Sequence, residues 1–402
     1  MELTRLRNIT FESLYNKLYW TAGVFFAYAN GSLISENYRN LFNISVVLML
    51  FILVMFNTVK TKKIVCPNPL ILFFTFFPVL SLIFHADESI NVVSIFFTLS
   101  VYFLLGLLSK KDIYTLLEKY AFIIYYLAII SIPLSIIFLI DYSLLSRFIP
   151  LSPSGVGPIY NLIVYTERVV NDMRVQSIYW EPGAWAVNLG FCLYWFCFVK
   201  KESKKVLIIM ISMIPVFSTS GFGLLGVTLI ACVFYASYLI NAKSIATFIT
   251  ICVIIVAGIA YSFYSLDLDI IGIVEEQTIS KLTEDPSGSY SARKETTQDA
   301  FKLAVENPII GVGKQNFENS LFVTSAIAEI AYQMGIIFLL TYMFIFLLFF
   351  RKMGLILGSV FALIMLNAEA YAFHILFSLI LIYNSKSIWS LILQSLKIKK
   401  NE

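Results

Sequence analysis

Histidine is nearly missing from this 402-residue chain: His85 and His374 are the only two, and they lie far apart. Cysteine is scarce as well, since four of the five (Cys192, Cys197, Cys232, Cys252) sit inside apolar runs and Cys66 adjoins a lysine-rich loop. That inventory supports neither a His/Cys zinc centre nor a disulfide framework. Charge is thin too, at 13% of residues against 59% hydrophobic, and no carboxylates cluster at metal-binding spacing. Ten-residue alternating segments are absent, which excludes an outer-membrane barrel. The basic stretch Met1 to Thr10 is not followed directly by an apolar core and small-residue cleavage site, so no removable signal peptide is expected and the first span should stay in the mature protein. The net charge of +4 carries no nucleic-acid signal, because the surplus lies in short lysine-rich loops beside apolar runs.

What the chain does have is length of apolar run, repeated along almost all of it, with a mean hydropathy of +0.83. Runs of roughly 17 to 25 residues suit helices that cross about 30 Å of hydrocarbon. Spans are expected near 15–34, 41–59, 67–84, 90–108, 119–140, 183–199, 205–217, 222–240, 245–263, 326–350, 353–367 and 374–392. The loops at 60–63, 109–111, 200–205, 241–243 and 351–352 and the tail at 397–400, all rich in lysine or arginine, then fall on one face. By the positive-inside rule that face is cytoplasmic and holds both termini. The expected fold is an all-α polytopic transmembrane bundle, a single integral membrane domain over 1–402 with two long outer loops at 141–182 and 264–325.

Five of the eight arginines (Arg39, Arg147, Arg168, Arg174, Arg293) fall on the outer face, against the rule the lysines obey. Topology alone would not put them there, whereas clamping a phosphate bidentately suits guanidinium. In the first long loop, residues 152–165 are apolar enough to dip back as a short re-entrant segment, and the polar run 167–177 leads to Tyr179-Trp180-Glu181-Pro182-Gly183 at the start of a span. Pro182 suits the first turn of that helix and leaves Glu181 beside its positive dipole end. Glu181 then either caps the helix or does chemistry. The second long loop carries an amphipathic helix over 287–308, capped by Ser289 or Ser291, with Ala300, Phe301, Ala304 and Val305 at helical spacing. Arg293 in its first turn opposes the dipole, which favours a bound anion as the reason for it. Gly311-Val312-Gly313-Lys314 is too short for a nucleotide-binding P-loop. Glu329 about one turn inside a span, and Asn367, Glu369 and His374 at the outer end of the last hairpin, are costly at such depth and usually face a cavity or other helices.

The order RVQSIYWEPGAW at 174–185, FSTSGFGLLG at 217–226, SARKETTQDAFKLAVENPIIGVGKQNFENSLF at 291–322 and Glu329 to Gly335 opening a span resembles the O-antigen polymerase and ligase superfamily. The resemblance covers roughly 165–350 and rests on short motifs, of which NPIIGVG after an Arg-headed helix is the best. Two departures stand out. Members often carry Ser-Arg-Gly where this chain has Ser220-Gly221-Phe222, and ligases have a His-Asn pair after the GVG segment where this chain has Glu318-Asn319. Loss of that histidine favours polymerase over ligase.

The resemblance implies a GT-C-like membrane glycosyltransferase of the bacterial inner membrane, cofactor-free, acting on undecaprenyl-pyrophosphate-linked oligosaccharide at the periplasmic face, with membrane lipid around it and a chain-length regulator as a candidate partner. Breaking the C1–O bond of such a donor requires stabilising negative charge on the departing pyrophosphate. Without carboxylate clusters to hold Mg²⁺, arginines are the expected agents: Arg174 and Arg293 first, Arg168 third. The acceptor hydroxyl needs a base. Glu318 occupies the place of the ligase histidine, and Glu181 is its rival. Tyr179, Asn319 and Tyr290 are the expected substrate contacts. A ligase is the alternative within the superfamily. A lipid-linked oligosaccharide flippase is the alternative from another class, although flippases keep outer loops short and place charge inside the bundle.

Overall fold

The computed structural model describes residues 2–84, 92–140, 150–151, 159–162, 165–168, 175–216, 218–235, 289–313, 323, 325–368 and 373–401. In chain order the elements are α1 (Glu2–Ala29), α2 (Leu33–Asn37), α3 (Arg39–Thr61), α4 (Pro69–Phe84), α5 (Val92–Leu107), α6 (Lys110–Ile140), β1 (Pro150–Leu151), β2 (Ile159–Leu162) and β3 (Tyr165–Arg168). There follow α7 (Pro182–Tyr194) with a π-helical continuation Trp195–Lys200, α8 (Ser203–Met213), α9 (Thr219–Tyr235), α10 (Ser289–Glu306), α11 (Ala326–Leu347) with a 3₁₀ extension Leu348–Met353, α12 (Leu355–Ala368) and α13 (Ile375–Asn401). The fold is helical, as the apolar runs require. Each span placed from sequence overlaps a described helix except 245–263, which lies outside the described residues; the first, 15–34, crosses a break at 30–32 between α1 and α2, and the end of 222–240 lies beyond the described part of α9.

Among the described residues, five helical stretches are long and apolar enough to cross a membrane: Arg39–Thr61, Lys110–Leu134, Pro182–Lys200, Ala326–Met353 and Ile375–Leu396. Pro69–Leu80, Val92–Leu107, Ser220–Phe234 and Leu355–Ala368 are apolar but shorter. The helix expected at 205–217 is the 11-residue α8 plus one 3₁₀ turn. At 1.5 Å per residue α8 reaches only about 16 Å, roughly half the hydrocarbon thickness.

The first long loop differs from the re-entrant reading of 152–165. Its described part is a three-stranded antiparallel sheet in the order β1-β2-β3, with Pro150 opposite Tyr160 and Ile159 opposite Arg168. The run IYNLIVYT is rich in β-branched and aromatic residues, which fit a pleated ladder better than a helical turn.

The chain divides into two compact units, 1–124 with 299–349 and 370–402, and 125–298 with 350–369. In the first unit, Phe73, Phe74 and Phe77 of α4 surround Phe338 of α11 at 5.7, 5.4 and 5.2 Å between ring centroids. Amides tie the helix ends: Asn68 Nδ2 donates to the Ser385 carbonyl (3.0 Å) and Asn384 Nδ2 to the Ile345 carbonyl (2.8 Å). Lys386 Nζ donates to the Gly106 carbonyl (2.7 Å) in the last turn of α5, where a cation meets the negative end of the dipole. Ser109 and Asp112 form a capping box at the start of α6, the Ser109 amide donating to Asp112 Oδ2 and the Asp112 amide to Ser109 Oγ. The other Asp112 oxygen accepts from the Tyr15 and Tyr19 hydroxyls at 2.7 and 3.0 Å. A local cap thereby also holds α1 against α6.

In the second unit α7 and α9 lie side by side through small residues. A Cβ on Gly190 would stand 2.7 Å from Leu224, and one on Gly221 would stand 3.4 Å from Ala186. Further along, the Cys197 and Cys232 thiols are 3.3 Å apart. The three contacts advance together along both helices, so α7 and α9 run parallel with their N-termini at the same end. Small residues allow this close approach without relying on apolar desolvation between helices.

Candidate functional site

The turn leading into α7 is built from the inside. Ser177 takes a left-handed conformation (φ 51°), and the Tyr179 amide closes the turn on the Gln176 carbonyl at 3.0 Å. The Val175 amide donates to the Pro215 carbonyl (3.0 Å), and Ser131 Oγ lies 3.2 Å from Ser177 Oγ. Tyr179 is fully buried and stacks on Trp185 at 5.6 Å and 21°. Glu181 follows with extended backbone (φ −136°, ψ 153°) as the N-cap of α7, and Pro182 opens the helix as expected. The Glu181 side chain makes no capping hydrogen bond; its carbonyl accepts from the Trp185 amide at 3.2 Å. The carboxylate is thus set at the helix mouth by the turn and by Pro182, and is not engaged in capping.

The neighbouring helix mouth belongs to α9. Ser218 caps it, its Oγ accepting from the Gly221 amide at 3.0 Å. A Cβ at Gly221 would come within 2.8 Å of that oxygen, so the cap and the glycine are fitted to each other. Two parallel helices therefore present their N-terminal ends together, where unpaired amides and aligned dipoles favour negative charge.

The second motif-bearing segment is locked into a break in α11. Gly335 lies inside that helix at φ 80° and ψ 174°, so the helix is two half-helices and not the continuous span expected from hydropathy. A regular helix would pair the Ile336 amide with the Tyr332 carbonyl and the Ile337 amide with the Gln333 carbonyl. Instead both amides turn to the Pro308 carbonyl, at 2.8 and 3.4 Å, while the freed carbonyls accept from the Val312 and Gly313 amides at 2.9 and 3.1 Å. The NPIIGVG segment supplies the partners that a broken helix in an apolar setting must find. Gly311 (φ 63°) and Gly335 are a fitted pair: a Cβ on Gly311 would be 2.6 Å from the Tyr332 carbonyl oxygen, and one on Gly335 would be 2.8 Å from the Pro308 carbonyl oxygen. Ala300 of α10 packs with Val323, Ala328 and Tyr332, which carries the amphipathic helix onto the first half of α11.

The amphipathic helix forms where its pattern put it, but it begins at Ser289, so Ser289 and Ser291 lie inside it rather than before it, Tyr290 is its second residue and Arg293, the fifth, stands just past the first turn. Arg168 ends β3. Arg174, Glu318 and Asn319 lie outside the described residues, as does Glu369. Glu329 is half-buried in the first turn of α11, His374 is half-buried just before α13, and Asn367 is exposed near the end of α12. Sequence reasoning missed the Gly335 break. The signal was present as a helix-breaking glycine in the interior of the run Ala326–Leu347, whose apolarity concealed it.

No curated protein matches the chain. Residues 206–343 match a family model described as O-Antigen ligase, a stretch that takes in α8, α9, α10 and most of α11, hence both the α9 mouth and the locked break. That match, over about a third of the chain, supports a likeness to the O-antigen ligase and polymerase superfamily.

Proposed function

We propose that this protein is a surface-polysaccharide polymerase of the O-antigen type, transferring a growing glycan from undecaprenyl pyrophosphate to a lipid-linked repeat unit at the periplasmic face of the inner membrane. The observation that carries the choice of polymerase is Glu318-Asn319 standing where ligases have His-Asn after the GVG segment. In the reaction the donor C1–O bond breaks and its electrons leave with the pyrophosphate. The acceptor hydroxyl oxygen bonds to C1, with inversion, and its proton passes to a carboxylate. Arg174, Arg293 and Arg168 stabilise the departing charge, because fixed guanidinium donors meet phosphate oxygens bidentately. Metal plays no part in this scheme.

The paired mouths of α7 and α9 support the reading, since they add favourable dipole potential at the end of α7 that follows the arginine-bearing loop. Glu318 is the first candidate for the base and Glu181, at the α7 mouth, the second. Tyr290 and Asn319 contact the substrate; Tyr179, expected as a third contact, is fully buried against Trp185 and instead acts through the turn it packs. A deletion strain tests the whole. Single repeat units on the lipid core establish a polymerase, whereas long polymer held on the carrier lipid establishes a ligase and removes this proposal.

A further inference from the structure

The first half of α11 carries a polar stripe that the proposed chemistry leaves unused. Ser325, Glu329 and Gln333 stand at i, i+4 and i+8, one above another on a single face. Ser325 is the N-cap residue and is 4% exposed, yet its Oγ makes no capping bond and has no partner among the described residues. Gln333 sits at the last turn before the break. Its Nε2 reaches Glu329 Oε1 over a long 3.5 Å, and its Oε1 is buried without a partner among the described residues. Glu329 lies within electrostatic reach of the Tyr102 hydroxyl of α5 and the Tyr342 hydroxyl of α11, and Ser378 of α13 adjoins Tyr102.

Buried polar atoms are ordinarily satisfied, and one left unpaired is destabilising because its lost hydration is not replaced. Two such atoms on one face, with a half-buried carboxylate between them, sit on a half-helix that ends in a break. Interrupted helices of this kind form binding sites in membrane proteins, because the break exposes side chains and dipole ends inside the bundle. The chemistry narrows the ligand. From Ala326 to Phe350 there is no Lys, Arg or His, so this face does not attract pyrophosphate. Carboxylate, amide and hydroxyl groups together donate to and accept from neutral hydroxyls.

We propose that the Ser325, Glu329 and Gln333 face of α11 binds sugar hydroxyls of the acceptor glycan and so orients its non-reducing end. The role as acceptor site rests on the polymerase reading; the carbohydrate-binding claim stands by itself. NPIIGVG then has a purpose in this chain: it holds the break open by satisfying the backbone and leaves the side-chain face to the ligand.

The test uses the detergent-purified full chain and two probes, the pyrophosphate-free repeat oligosaccharide released from the source bacterium's own polysaccharide, and inorganic pyrophosphate. Ser325→Ala and Gln333→Leu remove atoms that have no partner among the described residues, so a structural role predicts unchanged binding. A ligand role predicts that each weakens oligosaccharide binding by about fivefold or more, the worth of one hydrogen bond, with pyrophosphate binding and melting temperature unchanged. Glu329→Gln should lose about tenfold or more, as befits a charged acceptor. Wild-type protein that does not bind the oligosaccharide, or Ser325→Ala and Gln333→Leu proteins that bind it normally, would overturn the proposal. In vitro extension of a lipid-linked repeat unit separates the two readings. Extension with unaltered oligosaccharide binding removes this site and keeps the polymerase; altered binding without any extension keeps the site and removes the polymerase.

Discussion

At the scale of residues, the choice between the two carboxylates is the sharpest question. Glu181 sits at the α7 mouth with a side chain that makes no capping bond, so the bland role of helix cap is weakened and the residue remains a rival base. Glu318→Gln keeps size and hydrogen bonding but cannot accept a proton at neutral pH, and a base role predicts loss of turnover with donor still bound. If Glu318 is the base and Glu181 only places its charge beside the α7 dipole, Glu181→Gln should cost at most about 1 kcal/mol and leave polymer formation intact. In vitro extension with donor binding measured alongside decides the matter. An active Glu318 variant beside a folded, dead Glu181 variant transfers the assignment, and two active variants leave the reaction without a protein base.

The arginines are a second prediction at this scale. Arg174→Lys and Arg293→Lys preserve charge and lose the planar fork. Extension should fall at least about tenfold, on the order of 1.4 kcal/mol of transition-state stabilisation. Normal extension by both lysine proteins at normal abundance would remove the pyrophosphate clamp from the mechanism.

At the scale of elements, the junction of NPIIGVG with α11 is a tightly constrained piece of backbone. Gly311→Ala and Gly335→Ala each place a Cβ within 3 Å of backbone atoms at positive φ, where nothing flexible can yield. Each should destabilise by about 2 kcal/mol or more, from left-handed backbone strain plus the collision. Gly226 of α9 is the control, because a Cβ there meets nothing within 4 Å. Gly226→Ala should be neutral or stabilise by up to about 1 kcal/mol through helix propensity alone. Thermal unfolding of the three proteins in one detergent checks this, and equal melting points would show that the break tolerates a regular helix.

At the scale of the whole molecule, orientation in the membrane governs everything proposed for the two outer loops. In a Cys66→Ser background, Gly155→Cys and Asp285→Cys should react with an impermeant thiol reagent in intact spheroplasts, and Ser203→Cys should not. Labelling of residue 203 alone inverts the topology and places the arginines on the face opposite to the donor's pyrophosphate. The helical class, the helix positions and the Arg-headed amphipathic helix were all legible in the chain, since apolar run length and helical spacing are local properties. The sheet formed by 150–151, 159–162 and 165–168 was less so, because a short apolar run reads alike as strand or dipping segment until a partner strand pairs with it.

The sequence by itself determined that this is a helical membrane protein, that the residues proposed for its chemistry gather in two long loops between apolar runs, and that its motifs follow an order resembling the O-antigen ligase and polymerase superfamily. Those conclusions need only composition, periodicity and order along the chain. The tertiary structure alone decided that α7 and α9 present parallel N-termini, that Glu181 does not cap its helix through its side chain, and that α11 breaks at Gly335. Each of these depends on which distant backbone groups meet. The hydrogen bonds that make the break tenable join residues 308–313 to residues 332–337, and no pattern within either segment reveals that the partners of one are supplied by the other.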